Sequence, residues 1–131
     1  MENKALLSTH LEKLGIERLN EMQVAAQKAI LEEKNVLLLS PTGSGKTLAF
    51  LLPILELLDA NKTTVQCLIL TPSRELALQI EQVWKKMQTG FKVNVCYGGH
   101  SKIIEIQNLS TPPAVLIGTP GRIMDHIQRK S

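Results

Sequence analysis

The stretch that decides the fold is Val36-Leu37-Leu38-Leu39-Ser40-Pro41-Thr42-Gly43-Ser44-Gly45-Lys46-Thr47. An apolar run of strand length stops at a Gly-rich turn, and a helix-like segment, Leu48 to Leu58, follows. That order is what a phosphate-cradling loop requires. Gly43 and Gly45 let the backbone adopt positive φ and approach a ligand with no Cβ in the way. The amides of Thr42, Gly43, Ser44 and Gly45 then converge on an anion, and the helix adds its positive N-terminal end. Lys46 is expected to reach the β- and γ-phosphates, and the Thr47 hydroxyl to be a magnesium ligand. The usual pattern starts with Gly where this chain has Ser40, and a Gly-rich turn can also be a plain connection. Strand, loop and helix in the required order favour a nucleotide-phosphate site.

The 131 residues allow one domain, large enough for a core but small for a sheet with helices on both faces. Apolar residues make up 44% and charged ones 21%, which is globular composition. The longest apolar run, Leu48 to Leu58, is too short to span a bilayer and contains Pro53, so no membrane association is expected. No leader with a cleavage site is evident, and a cytoplasmic location is expected. Cys67 and Cys96 sit in strand-like segments without metal spacing, as small core residues of a reducing compartment. The net charge of +3 is compatible with a nucleic-acid partner without demonstrating one.

Outward from the loop, Lys4 to Leu14 places Leu7, Leu11 and Leu14 on one helical face, with Gly15 as terminator. A second helix is expected from Glu21 to Glu33, with Val24, Ala25, Ile30 and Leu31 among its apolar positions. Asn20 would cap it, with Gln23 at the reciprocal capping position. After the loop helix and a polar connection, Val65 to Leu70 has the apolar continuity of a strand covered on both faces. Arg74 to Gln88 reads as a helix through Leu76, Ile80, Val83 and Met87. Phe91 to Tyr97 alternates, with Val93, Val95 and Tyr97 on one face, and ends at Gly98-Gly99. A short helix from Ser101 to Leu109, a fourth strand from Ala114 to Ile117 and a last helix from Pro120 complete the chain. Strand–helix repeats indicate an α/β domain with a parallel sheet, whose ligands bind beyond the carboxyl ends of the strands.

Two turns match. Thr71-Pro72-Ser73-Arg74 and Thr119-Pro120-Gly121-Arg122 each follow an apolar strand and open a helix, with Pro at the first helical position and Thr as cap. An Arg there opposes the helix dipole, which makes sense if an anion also binds. Gly98-Gly99 ends a third strand and is open to close approach by a nucleic-acid backbone. The plainer alternative is that Arg74 and Arg122 pair with carboxylates such as Glu75 or Asp125. Aromatics are few, and Trp84, inside a helix, is expected to pack in the core, so recognition of a nucleic acid should run through its backbone.

Taken together, these residues resemble the first RecA-like domain of the DEAD-box RNA helicases. Gly15-Ile16 with Gln23 resembles the Q motif, and Ser40 to Thr47 resembles motif I. Pro72-Ser73-Arg74-Glu75-Leu76-Ala77 resembles motif Ia, Gly98-Gly99 the Gly doublet, and Thr119 to Arg122 motif Ib. The resemblance covers nearly the whole chain. It implies an α/β fold with a parallel sheet flanked by helices, of the P-loop NTPase or RecA-like kind, incomplete here. Residues 1–34 would form the Q-motif helical region and residues 35–131 the strand–helix repeats. It further implies that Gln23 reads adenine, that Lys46 and Thr47 hold ATP phosphates and Mg2+, and that Arg74, Gly99, Thr119, Gly121 and Arg122, beside Pro72 and Gly98, lie along RNA, single-stranded or a short duplex.

Departures from the family pattern carry expectations of their own. Leu19-Asn20-Glu21 replaces the usual Pro-Thr-Pro, and Leu6 stands where an adenine-stacking aromatic is usual. No Asp-Glu-Ala-Asp or Ser-Ala-Thr motif occurs within the 131 residues, and a second RecA-like domain would come from the parent chain. The expected activity is RNA-stimulated ATP hydrolysis coupled to unwinding in that parent, with these residues inactive alone. The alternatives are a non-hydrolysing RNA- or nucleotide-binding module and a DNA-directed helicase of the same superfamily.

Overall fold

The structure, a computed structural model, describes residues 12–16, 18–41 and 45–129. Thr42, Gly43 and Ser44 of the expected loop lie outside the described residues, as do Leu6, Leu7 and Leu11 of the first expected helix. The expected stop of that helix is present: Gly15 has φ +74° and its N–H donates to Glu12 O at 3.0 Å. The chain divides into two compact units, Met1–Leu58 and Asp59–Ser131.

In the first unit, helix α1 (Glu21–Glu32) packs against helix α2 (Lys46–Leu57). The start of α1 is fixed by the expected capping box. Gln23 N–H donates to Asn20 Oδ1 at 2.8 Å, and Asn20 N–H donates to Gln23 Oε1 at 3.0 Å. The buried positions of α1 are Gln23 and Ala26, whereas the expected apolar residues Val24, Ala25 and Leu31 are exposed. The capping residue turns inward, and the buried face follows it around the helix. Helix α2 buries Leu48, Ala49, Leu51, Leu52 and Pro53. Pro53 lies inside α2, so the helix forgoes one internal N–H bond there.

Val36 to Leu39 does not form the expected strand. Leu37 and Leu39 are each 84% exposed, and no strand among the described residues pairs with this segment. A strand exists only through ladder bonds to a neighbour, which an apolar run cannot supply by itself.

In the second unit, strands β1 (Cys67–Leu70), β2 (Val93–Cys96) and β3 (Val115–Gly118) form a parallel sheet in the order β1-β3-β2. Helix α3 (Arg74–Met87) follows β1, helix α4 (Lys102–Leu109) follows β2, and helix α5 (Pro120–Arg129) follows β3. The described sheet therefore has three strands in place of the expected four. Leu70, Gly118 and Cys96 lie side by side in register, so all three strands finish at the same level.

Helix α3 packs on β2 and β3 and buries Ala77, Ile80, Trp84 and Met87. The stripe is rotated from the expected one, leaving Leu76 and Val83 half-buried. Trp84, 1% exposed, takes the core position expected of it, and its Nε1–H donates to Phe91 O at 3.1 Å. On β2 the buried residues are Asn94 and Cys96, while Val93 and Val95 are only half-buried. Leu68 and Leu70 of β1 are exposed, so this strand is not covered on both faces as its apolar run suggested. β1 is at the sheet's margin, and the helices pack chiefly on β2 and β3.

Candidate functional site

The first unit holds the start of α2. Gly45 precedes the helix with φ +89°, a conformation that costs other residues about 1–2 kcal/mol. Its carbonyl accepts from Gln23 Nε2 at 3.1 Å, and a Cβ at Gly45 would lie 2.5 Å from that nitrogen. Gln23 therefore does three things: its N–H and Oε1 complete the cap of α1, and its amide holds the loop backbone where α2 begins. The bond from Gln27 Nε2 to Glu56 Oε1, 2.9 Å, adds a second polar tie between the helices. Lys46 and Thr47 are half-buried in the first turn of α2. Among the described residues Lys46 has no carboxylate partner. An ammonium with no described carboxylate partner, beside a glycine opening, fits a phosphate, and the Thr47 hydroxyl beside it fits a cation that accompanies one.

The second unit holds a rim made by the turns after the three strands. Thr71 N–H donates to Gly118 O at 2.9 Å, and Thr119 N–H donates to Cys96 O at 3.1 Å, so the ladder runs into the turns themselves. This register places Thr71 to Arg74, Gly98-Gly99 and Thr119 to Arg122 at one carboxyl edge. Pro72, Arg74, Gly98, Gly99 and Gly121 are exposed there, and Thr119 is half-buried.

The two Thr-Pro turns differ in detail. Helix α5 begins at Pro120 and α3 at Arg74, both expected starts, but Pro72 is therefore not the first helical residue of its turn. The cap of α3 is Ser73, whose hydroxyl accepts from Leu76 N–H at 3.2 Å. Thr71 is buried, and its hydroxyl donates to Ser73 O at 2.9 Å, tying the turn together instead of capping.

The two arginines also diverge. Arg74 is exposed, pairs at 3.2 Å with the equally open Glu75, and lies over the doublet: a Cβ at Gly99 would sit 3.5 Å from Arg74 Nη1. So exposed a pair is screened by solvent and contributes little, which leaves Arg74 readily redirected to another anion. Arg122 has 15% of its side chain exposed and does not pair with Asp125. Its Nη1 donates to Glu105 Oε1 at 3.0 Å and to His100 O at 3.1 Å. Asp125 instead pairs with Lys102 and, at 3.5 Å, with Arg129, and the Lys102 hydrogen bond holds its carboxyl below the usual range.

Sequence spacing carries no signal for Glu105, because its partners lie up to 21 positions away along the chain. It is 1% exposed. Burial pushes its carboxyl up, but bonds from His126, His100 and the Tyr97 N–H, with the charge of Arg122, outweigh that and hold it below the usual range. Cys96, Glu105 and His126 offer ligand atoms within 4.8 Å of one another. Hydrogen bonds and ion pairs within the cluster already engage Glu105 and His126. Burial, and then the Glu105 charge, push the Cys96 thiol up to about 12, and both Glu105 oxygens already accept from cationic or N–H donors.

The DEAD/DEAH box helicase family profile matches residues 20–131. The chain belongs to the DEAD/DEAH box helicase family. The "ATP-dependent RNA helicase DeaD" of Escherichia coli (strain K12) is 37% identical over 129 residues, which is 96% of this chain and 20% of that protein. The "ATP-dependent rRNA helicase RRP3" of Encephalitozoon cuniculi is 40% identical over 126 residues, 95% of this chain and 31% of that protein. Among solved structures, the DEAD-box helicase Mss116 bound to ssRNA and UDP-BeF superposes with a TM-score of 0.86 at 29% identity, over 94% of this chain and 27% of that one. The chain thus spans between a fifth and a third of these helicases' length. The parallel sheet with flanking helices is the fold expected for a DEAD/DEAH box helicase, and no helix among the described residues is long and apolar enough to cross a membrane.

Proposed function

We propose that the chain supplies a nucleotide-binding loop and an RNA-binding rim to an ATP-dependent RNA helicase. The observation that carries this reading is the common level of three turns at one sheet edge, where Arg74, the Gly98-Gly99 doublet and the first turn of α5 stand together. Exposed amides at helix starts and a redirectable guanidinium are phosphate receptors and carry no base readout. RNA would therefore be held by its backbone, along Pro72, Arg74, Gly98, Gly99, Thr119 and Gly121, with Arg122 bordering the track. The similarity to a helicase bound to ssRNA supports single-stranded RNA as the ligand.

In the first unit, Thr42, Gly43, Ser44, Gly45 and Lys46 would cradle the ATP phosphates and Thr47 would help hold Mg2+, with Gln23 at the adenine. When bound, magnesium supplies charge neutralisation at the phosphates. Hydrolysis and unwinding belong to a longer parent chain with a second RecA-like domain, and the free thiols Cys67 and Cys96 suit the cytoplasm. To these residues fall nucleotide and RNA binding, and a non-hydrolysing binding module is the competing reading. Fluorescence anisotropy with labelled oligo(U), competed by unlabelled RNA or DNA of the same length, tests the reading beside an ATPase assay. Expected are RNA binding preferred over DNA and no turnover. Equal competition would favour a DNA-directed helicase, and RNA-stimulated turnover by these residues would overturn the division of labour.

A further inference from the structure

Among the described residues Glu105 is a fully buried carboxylate, and it faces four donors or rings from two separate segments. Oε2 accepts from Tyr97 N–H at 3.1 Å and lies 2.8 Å from His100 Nδ1, both in the turn that contains the Gly doublet. Oε1 accepts from Arg122 Nη1 at 3.0 Å and lies 2.7 Å from His126 Nε2, both on α5. Arg122 also donates to His100 O, and the rings of Tyr97 and His100 stand 5.0 Å apart, which closes the circuit between turn and helix.

Each oxygen faces a group that can only donate: a backbone N–H on one side and a guanidinium on the other. A glutamine could satisfy one of them but would turn its NH2 against the other. The pocket therefore requires a carboxylate, and removing its charge leaves a buried donor unpaired. The groups facing it are Cys96 at the end of β2, His100 in the turn, and Arg122 and His126 on α5.

We propose that Glu105 is the positioning residue of the RNA rim: from inside the unit it fixes the Gly98-Gly99 turn against the first turn of α5, so that exposed amides of both stand ready for one phosphate chain. The inference rests on the RNA-binding reading above, but its structural half, the fixing of the turn, can be measured without RNA.

The test uses Glu105→Gln in the whole chain, with two readouts: oligo(U) affinity by anisotropy, and the backbone amide resonances of Gly98, Gly99 and Tyr97 by NMR. Expected are about tenfold weaker binding, equivalent to ~1.4 kcal/mol, displaced Gly98 and Gly99 resonances, and faster exchange of the Tyr97 amide. A folded variant with unchanged affinity and unchanged resonances would overturn the proposal. If the wild type itself fails to bind oligo(U), the RNA reading falls, and the resonances alone decide whether Glu105 fixes the turn. If Glu105→Gln does not fold, an acid titration of the wild type decides. The Gly98 and Gly99 amides should move with the Glu105 carboxyl, and resonances that ignore its titration would contradict the inference.

Discussion

Gln23 Nε2 donates to Gly45 O across 3.1 Å, joining the first turn of α1 to the residue that opens α2. Capping and loop-holding are thus functions of one side chain, and a substitution can separate them. Gln23→Glu keeps an oxygen for Asn20 N–H but loses the donor for Gly45 O. Its carboxylate oxygen then faces Gly45 O at a buried site, so we expect it to cost about 1–3 kcal/mol and to weaken binding of an ATP analogue. Gln23→Ala removes both bonds and should cost about 1–2 kcal/mol as well as nucleotide affinity. Calorimetric titration and thermal melting of the two variants check this. Nucleotide affinity retained in both would leave Gln23 a cap and nothing more.

Gly118 ends β3 where the first turn of α5 comes down on the sheet. A Cβ there would lie 2.5 Å from Ile123 Cδ1 and 2.6 Å from Cys96 O, and the second contact is backbone that no rotamer change relieves. Gly118→Ala is therefore expected to destabilise the fold by about 1–3 kcal/mol, read from urea denaturation. An unchanged midpoint would show that the helix does not sit this close.

Acid should loosen the second unit through Glu105. Its carboxyl is held below the ordinary glutamate range in the folded state, so protons bind more readily to the unfolded chain. Its contribution is present above the unfolded-state pKa and is lost as pH falls through the lower folded-state value. Glu105→Gln should thus be less stable than wild type at neutral pH by about 2 kcal/mol, and the gap should close in acid. Denaturation series at neutral and acid pH measure it, and a gap that is constant with pH would contradict the assignment.

What the sequence made legible was local. Asn20 and Gln23 announce their cap by a spacing of three, Gly15 and Gly45 mark backbone that turns left-handed, and Thr-Pro turns mark the strand ends. What it hid depends on partners distant in the chain. Val36 to Leu39 has strand composition but no described partner, and the stripe of α3 is set by where Trp84 fits on β2 and β3. Arg122 illustrates both sides. Its place at a helix start was readable, whereas its commitment to Glu105, 17 positions earlier, was not. Asp125, only three positions away and the more obvious partner, is taken by Lys102 and Arg129.

The rim itself is tested most directly by the salt dependence of oligo(U) binding for wild type and Arg74→Ala. Arg74 is exposed and its pair with Glu75 is a surface one, so the substitution should leave stability within about 0.5 kcal/mol. If the guanidinium receives one RNA phosphate, affinity falls and the slope of log K against log salt decreases in magnitude by about 0.7. Wild-type affinity and an unchanged slope in a folded Arg74→Ala protein would contradict an RNA track along these three turns.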